Sequence, residues 1–284
     1  MQNTIAIICD CDETLAPDTT VFLLDQNNVN QKSFWKKATS MVEAGWDPPL
    51  AYMTMIVELM KAGKIKQDTN KKLSELGKAV RPYDGVPDFI AELKTSIREN
   101  RDFADAGINL ESYIISSGIE DLIKGSNMGR HFTDIFAGRF AEDPRSGQIT
   151  SVKSSVTFTE KTKFLYAINK GISGPELRRQ PYRVNDAITK EERRVAFEYM
   201  VYLGDGPSDI PCFSAVKSLG GNCISIVGRD TVNKGYELAR GKRTTVGPYT
   251  SNYRNGSDLR LMLDTIINKV GYQIAARKKE SKVL

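Results

Sequence analysis

Four short apolar runs, each stopping in small or acidic residues, limit what this chain can fold into more than any other feature. Ile5-Ala6-Ile7-Ile8-Cys9 runs into Asp10-Cys11-Asp12, and Tyr113-Ile114-Ile115 into Ser116-Ser117-Gly118. Tyr199 to Leu203 runs into Gly204-Asp205-Gly206, and Cys223 to Val227 into Gly228. Continuous apolar strands with β-branched residues are buried on both faces, as in a parallel sheet. Helical stretches lie between them. The spacing predicts an α/β fold with a doubly wound, mainly parallel, Rossmann-like sheet. Ligands of such sheets sit beyond the carboxyl ends of the strands, so the four loops should converge.

Roughly 100 residues separate the first run from the second, far more than one crossover needs. Trp35, Ala38, Met41 and Val42 recur there at helical spacing, as do Leu50, Met53, Val57 and Met60. Gly45 and Pro48 separate these two helices, Gly63 ends the second, and Leu73 and Leu76 mark a third. Residues 17–79 are therefore read as a small inserted α-helical unit, and 1–16 with 80–284 as a discontinuous core. The chain re-enters the core at Arg81-Pro82-Tyr83-Asp84-Gly85, and Val86 to Arg98 forms the first crossover helix. Met41, Met53, Met55 and Met60 are expected to pack the small bundle. Thr133 to Thr159 reads as a β-rich excursion turning at Asp143-Pro144-Arg145-Ser146-Gly147. Residues 174–194 read as a polar surface insertion whose arginines are offset by Glu176, Asp186, Glu191 and Glu192.

Composition narrows the function. With 284 residues, 40% hydrophobic and 26% charged, the chain is globular, which excludes a fibrous repeat, general disorder and a disulfide scaffold. A net charge of +5, from 40 basic and 35 acidic residues, is no nucleic-acid or membrane signature, and neither partner is expected. Cys9, Cys11, Cys212 and Cys223, with His131 as the one histidine, do not make a paired zinc-ligand pattern and read as buried thiols of a reducing cytosol. The N-terminal MQNTIAIICDCDE meets acidic residues after a very short apolar run, so neither a signal peptide nor a spanning helix is read and a soluble, cytoplasmic protein is expected.

The chemistry lies at the acidic strand ends. Asp10 and Asp12, at i and i+2 of an extended segment, project to the same side, and such a pair is costly unless a cation or a proton is shared. A calcium loop of EF-hand type is excluded, because Leu15 and Val21 stand where it needs Gly and Glu. Gly204-Asp205-Gly206-Pro207-Ser208-Asp209 supplies a second acidic pair. It is a poor dinucleotide loop, since Asp209 takes the third glycine's place. Acidic oxygen ligands without histidine or thiolate suit Mg²⁺.

In chain order, Asp10-Cys11-Asp12-Glu13-Thr14-Leu15 (D-x-D-x-T), the apolar strand ending at Ser116, Lys161 ahead of Leu165 and Ile168, and Gly204 to Asp209 (G-D-G-x-x-D) resemble the four motifs of the haloacid dehalogenase (HAD) superfamily of phosphohydrolases. The resemblance spans residues 5 to about 230. It implies Asp10 as the nucleophile that forms an aspartyl-phosphate and Asp12 as the acid and base serving the leaving oxygen and the attacking water. It implies Mg²⁺ held by Asp10, by Asp12 through its backbone carbonyl, and by Asp205, with Asp209 as a further ligand or an orienter. Ser116 and Lys161 would hold the phosphoryl oxygens, and Thr14 would belong to the same phosphate-binding loop as its brace. Lys161 is preferred to Lys163 because Leu165 and Ile168 then fall on the family's apolar helix positions. Glu13 is expected to be an uninvolved surface residue.

An aspartate at position 12 argues for phosphoryl chemistry over carbon–halogen cleavage, which has no leaving oxygen to protonate. The helical insertion stands where the family carries its C1 cap and is most like that of the phosphoserine phosphatase group. That group has a glutamate for the substrate amine where this chain has Pro17-Asp18-Thr19-Thr20, so phosphoserine itself is not indicated. The resemblance implies a Mg²⁺-dependent phosphatase that hydrolyses a phosphomonoester of a small metabolite. Two other readings share the scaffold: a phosphotransferase or phosphomutase with an alcohol as acceptor, and a non-catalytic regulatory binding protein. Retention of Asp10, Asp12, Ser116, Lys161, Asp205 and Asp209 argues against the last.

Overall fold

The computed structural model describes residues 2–228 and 232–281. Of the expected core, Met1, Arg229 to Thr231 and Lys282 to Leu284 lie outside the described residues. Strand β1 (Thr4–Cys9) is buried at every position, as its unbroken apolar run requires. It pairs in parallel with β2 (Asn109–Ile119) on one side and with β5 (Met200–Gly204) on the other. β3 (Asp134–Glu142) lies parallel beyond β2, and β4 (Ile149–Ser154) returns antiparallel along its edge. The expected turn joins these two, with Asp143 Oδ1 accepting the N–H of Arg145 and Ser146. β6 (Asn222–Val227) and β7 (Val246–Thr250) extend the sheet in parallel from β5. The order among the described residues is β4-β3-β2-β1-β5-β6-β7. The chain thus winds outward from β1, returns beside it, and winds out the other way. The carboxyl end of β1 is the switch point where such sheets bind ligands.

Two strands depart from the sequence reading. β2 does not stop at Ser116 but continues to Ile119, with its register against β3 shifting between Ile115 and Ile119. That irregularity releases Ser116 to Gly118 from regular pairing. β7 has no apolar run to announce it, because Gly247 and Pro248 interrupt it.

Around the sheet, α5 (Val86–Glu99) buries Val86, Phe89, Ile90, Leu93 and Ile97, an i, i+3, i+4 stripe worth about 1.5–3 kcal/mol per fully buried side chain. Short helices α6 (Arg101–Asp105), α7 (Glu120–Gly125) and α9 (Gly174–Arg179) join α8 (Glu160–Lys170), α10 (Ile210–Ser218) and α11 (Val232–Arg240). The chain closes with α12 (Asp258–Glu280), which buries Leu259, Leu263, Ile266, Ile267, Val270 and Ile274. No helix among the described residues is long and apolar enough to cross a membrane. The four cysteines are buried and free.

The inserted segment folds into α1 (Thr19–Gln26), α2 (Gln31–Glu43), α3 (Pro48–Lys61) and α4 (Asn70–Gly77). Asp18, Asn30, Asp47 and Thr69 cap them, each side chain accepting a first-turn N–H, at about 1 kcal/mol apiece. Pro48 and Pro49 occupy the first turn of α3, where an N–H is not needed, so proline starts this helix as it ends the preceding connection. Met53, Met55 and Met60 are buried and Met41 packs beside them, the bundle role expected of them. Helix α3 lies along β4, whereas α4 lies on α7. There a Cβ on Gly125 would overlap the carbonyl of Ser74, so the two helices approach at backbone distance.

Candidate active site

The carboxyl ends of β1, β2 and β5 and the first turn of α8 meet at one point. Asp10 leaves β1 with its N–H donated to the Leu203 carbonyl of β5 at 2.9 Å, which fixes the loop to the neighbouring strand. The Cys11 N–H donates to Asp10 Oδ1 at 2.7 Å. Lys161, wholly buried in α8, donates from Nζ to Asp10 Oδ2 and to Asp209 Oδ1, both at 2.8 Å. Asp209 is gripped further by the Tyr202 hydroxyl, which donates to Oδ1 at 2.8 Å, and by the Gly206 N–H at 3.3 Å from Oδ2. Ser208 Oγ lies 3.4 Å from the Lys161 ammonium.

These contacts set the charges. Burial, then the nearby Asp209 carboxylate, push Asp10 up to about 7 against the pull of Lys161. Burial works against the charged form of Lys161, but Asp10 and Asp209 outweigh it and hold the ammonium well above its ordinary range. Carboxylate oxygens of Asp10, Asp205 and Asp209 all lie within 4.8 Å of one another, and all three residues are buried. Three hard oxygen donors with no histidine or thiolate among them fit Mg²⁺. The Asp12 side chain stands outside this trio, so any share it takes in holding the ion falls to its backbone carbonyl.

Asp12 faces the inserted helices instead. The first N–H of α1, from Thr19, donates to Asp12 Oδ1 at 2.8 Å. Burial, then Asp18, push the Asp12 carboxyl up to about 8. Ser116 is wholly buried, and its Oγ accepts the Gly118 N–H at 2.9 Å, which leaves its own O–H to donate elsewhere. A Cβ placed on Gly118 would stand 2.9 Å from Asp12 Oδ2, 3.1 Å from Ser116 Oγ and 3.3 Å from Thr19 Oγ1. Gly118 therefore keeps open the space on which these three oxygens converge. From the insertion, the Tyr52 hydroxyl donates to the Ser117 carbonyl beside it.

The structure brings Asp10, Asp12, Ser116, Lys161, Asp205 and Asp209 to one end of the sheet. Lys163 points elsewhere, paired with Glu160 and 4.8 Å from the centre of the Phe164 ring. Thr14 makes a bracing hydrogen bond through its carbonyl, whereas the expectation for Glu13 needs correction. The Thr14 hydroxyl is buried without a hydrogen-bond partner, and the bracing runs through its carbonyl, which accepts from the Tyr253 hydroxyl at 3.0 Å. Glu13 is not an uninvolved surface residue: its carboxylate accepts the Tyr83 hydroxyl at 2.9 Å and the Asp18 N–H at 3.2 Å. Side-chain length, which lets it reach back over its own loop, decides this, and sequence spacing does not report it. Tyr202 was also unanticipated, although a polar tip in a fully buried strand signals a buried partner.

No family model matches the chain. An uncharacterized protein of Borreliella burgdorferi is 24% identical over 283 residues, which cover 91% of this chain and 94% of that one. Among solved structures, a phosphoserine phosphatase in its apo form superposes with a TM-score of 0.52 at 18% identity, over 92% of this chain and 98% of that one. A HAD family hydrolase of Salmonella enterica serovar Typhi superposes with a TM-score of 0.51 at 15% identity, over 82% of this chain. This chain spans 65% of that hydrolase's length. The fold is that of HAD hydrolases and phosphoserine phosphatases, as the motif resemblance implies.

Proposed function

We propose that the chain is a Mg²⁺-dependent phosphatase of HAD type, hydrolysing a phosphomonoester of a small metabolite through an aspartyl-phosphate. The observation that carries this reading is the wholly buried Lys161 bound to both Asp10 and Asp209, beside the carboxylate trio. A lone ammonium among clustered carboxylates offers one anion-binding charge next to one nucleophile, which is the pairing phosphoryl transfer needs.

In this reading Asp10, Asp205, Asp209 and the Asp12 carbonyl hold Mg²⁺, and Thr14 belongs to the loop that seats the phosphate. Bound there, the ion offsets the repulsion between an anionic nucleophile and an anionic ester. Lys161 and the Ser116 O–H hold phosphoryl oxygens. An Asp10 oxygen attacks phosphorus while the ester P–O bond breaks, and Asp12 gives its proton to the departing alkoxide. Water then attacks the same phosphorus and returns a proton to Asp12. The Asp10–phosphorus bond breaks, leaving inorganic phosphate and the free carboxylate. A carboxyl raised to about 8 is protonated at neutral pH, as the first of these steps requires.

Residues 17–79 act as the cap over a core of 1–16 and 80–284, with α1 and α3 closing over Asp12 and Ser117. The four buried thiols support a reducing, cytoplasmic setting. Purified protein with Mg²⁺ is expected to release p-nitrophenol from p-nitrophenyl phosphate, EDTA to stop it, and Asp10→Asn to abolish it. Turnover that survived complete metal removal, or a variant retaining about a tenth of the wild-type rate, would overturn the reading. Transfer to added glycerol in place of water would move it to a phosphotransferase.

A further inference from the structure

The Asp10–Ala16 loop contains a non-glycine residue in the left-handed region: Glu13, with φ 56°. That conformation costs a non-glycine residue about 1–2 kcal/mol and persists where the surroundings enforce it. The enforcement is visible. The Glu13 N–H donates to the Ala16 carbonyl at 2.7 Å, and its carbonyl accepts from Ser251 Oγ at 3.3 Å. Its carboxylate divides between two stretches of chain. One oxygen accepts the N–H of Asp18, where the chain leaves for α1, and the other accepts the hydroxyl of Tyr83, where it returns from α4. The return stretch is tied a second time, Tyr83 N–H to the Leu15 carbonyl at 2.9 Å. A Cβ on Gly228, at the end of β6, would overlap the same carboxylate, so the core leaves room for it.

We propose that Glu13 is a positioning residue that ties both hinge stretches of the inserted cap to the catalytic loop. One side chain holds the outgoing and the incoming strand together, and it directly follows Asp12, the residue that the first N–H of α1 also grips. Movement of the cap and placement of Asp12 are then mechanically one event. The kinetic consequence rests on the phosphatase reading; the tether itself does not.

Three variants separate side chain from backbone. Glu13→Gly adopts the left-handed conformation without strain yet removes the tether. Glu13→Gln keeps both bridges, its oxygen taking the Asp18 N–H and its amide donating to the Tyr83 hydroxyl. Tyr83→Phe removes only the Glu13 bond to the return stretch and leaves the Tyr83 N–H on the Leu15 carbonyl. Hydrogen exchange of full-length protein is expected to be about tenfold faster across α1–α3 in Glu13→Gly, with β1, β5 and α5 unchanged, and close to wild type in Glu13→Gln. Tyr83→Phe should fall between them. With p-nitrophenyl phosphate and Mg²⁺, Glu13→Gly should lose about tenfold in kcat with KM within about twofold, and Glu13→Gln should restore it. Exchange in α1–α3 of Glu13→Gly indistinguishable from wild type overturns the proposal, and so does an increase spread evenly over the sheet. Faster cap exchange in a protein whose wild type hydrolyses nothing upholds the tether and refutes the phosphatase reading instead.

Discussion

Replacing Lys161 by methionine keeps an apolar stem and removes the terminal ammonium, with its charge and its bonds to Asp10 and Asp209. The ammonium is wholly buried and bonded at 2.8 Å to Asp10 and to Asp209, with Asp205 close by. Its loss leaves carboxylates within 4.8 Å of one another. At an effective dielectric of about 20, two unit charges at that spacing repel by about 3 kcal/mol. Breaking a buried pair by deleting one partner costs about 3–5 kcal/mol, in agreement with that figure. With an unfolding entropy of about 2.1 cal/mol/K per residue, a chain this long should melt about 5–8 °C lower. The loss depends on pH. Without the ammonium the Asp10 carboxyl, already raised, rises further above its unfolded value, so the native state holds a proton that the unfolded chain releases. Stability then falls as pH rises, and the deficit should be larger near pH 8 than near pH 6. Bound as proposed, Mg²⁺ would supply the missing charge, so an excess should raise the melting temperature of Lys161→Met more than that of wild type. Thermal melts followed by circular dichroism, in EDTA and in excess Mg²⁺, test this. A variant melting within about 1 °C of wild type in EDTA near pH 8 would show that Lys161 does not neutralise the cluster, as would equal Mg²⁺ increments in both proteins.

Two further outcomes are expected. Asp12, raised from 3.8 to about 8 in the metal-free protein, binds a proton in the native state that the unfolded chain has lost, so wild-type stability should fall between those pH values. Asp12→Asn cannot ionise and should lack that component of the fall; parallel melting-temperature curves in EDTA for the two proteins would contradict it. Gly118→Ala places a methyl among Asp12, Ser116 and Thr19 at a residue outside the left-handed region, so folding should survive while kcat/KM for p-nitrophenyl phosphate drops about 100-fold. Activity within about threefold of wild type would mean that this space is not where the ester sits.

What could be read from the chain beforehand follows from the physics of each signal. Burial on both faces leaves a continuous apolar mark, so β1, β5 and β6 and the polar loops behind them were legible, and with them Asp10, Asp205 and Asp209. Lys161 was separable from Lys163 because its helix must bury Leu165 and Ile168, which fixes the face it shares. Glu13 and Tyr202 were not legible as site residues, since their roles come from partners at sequence distances that no local period encodes. Glu13 reaches Tyr83, 70 positions away, whereas Tyr202 reaches Asp209 across the loop that follows β5. β7 carries no legible mark because Gly247 and Pro248 mask its pattern, and α12 because its apolar stripe precedes no strand end. For Thr14 the motif points to the residue but not to the atom, since a backbone carbonyl makes the bracing bond.

The pairings of β1 bear on how the molecule is made. Its residues join Asn109 to Ile114 on one side and Met200 to Leu203 on the other. Emerging from the ribosome, the segment that carries Asp10 has neither strand neighbour until Asn109 to Ile114 have followed, and lacks its second until Met200 to Leu203 have. The Asp10 carboxylate is thus seated between its two strands long after it is made, and any chain cut short before residue 200 would lack one of them.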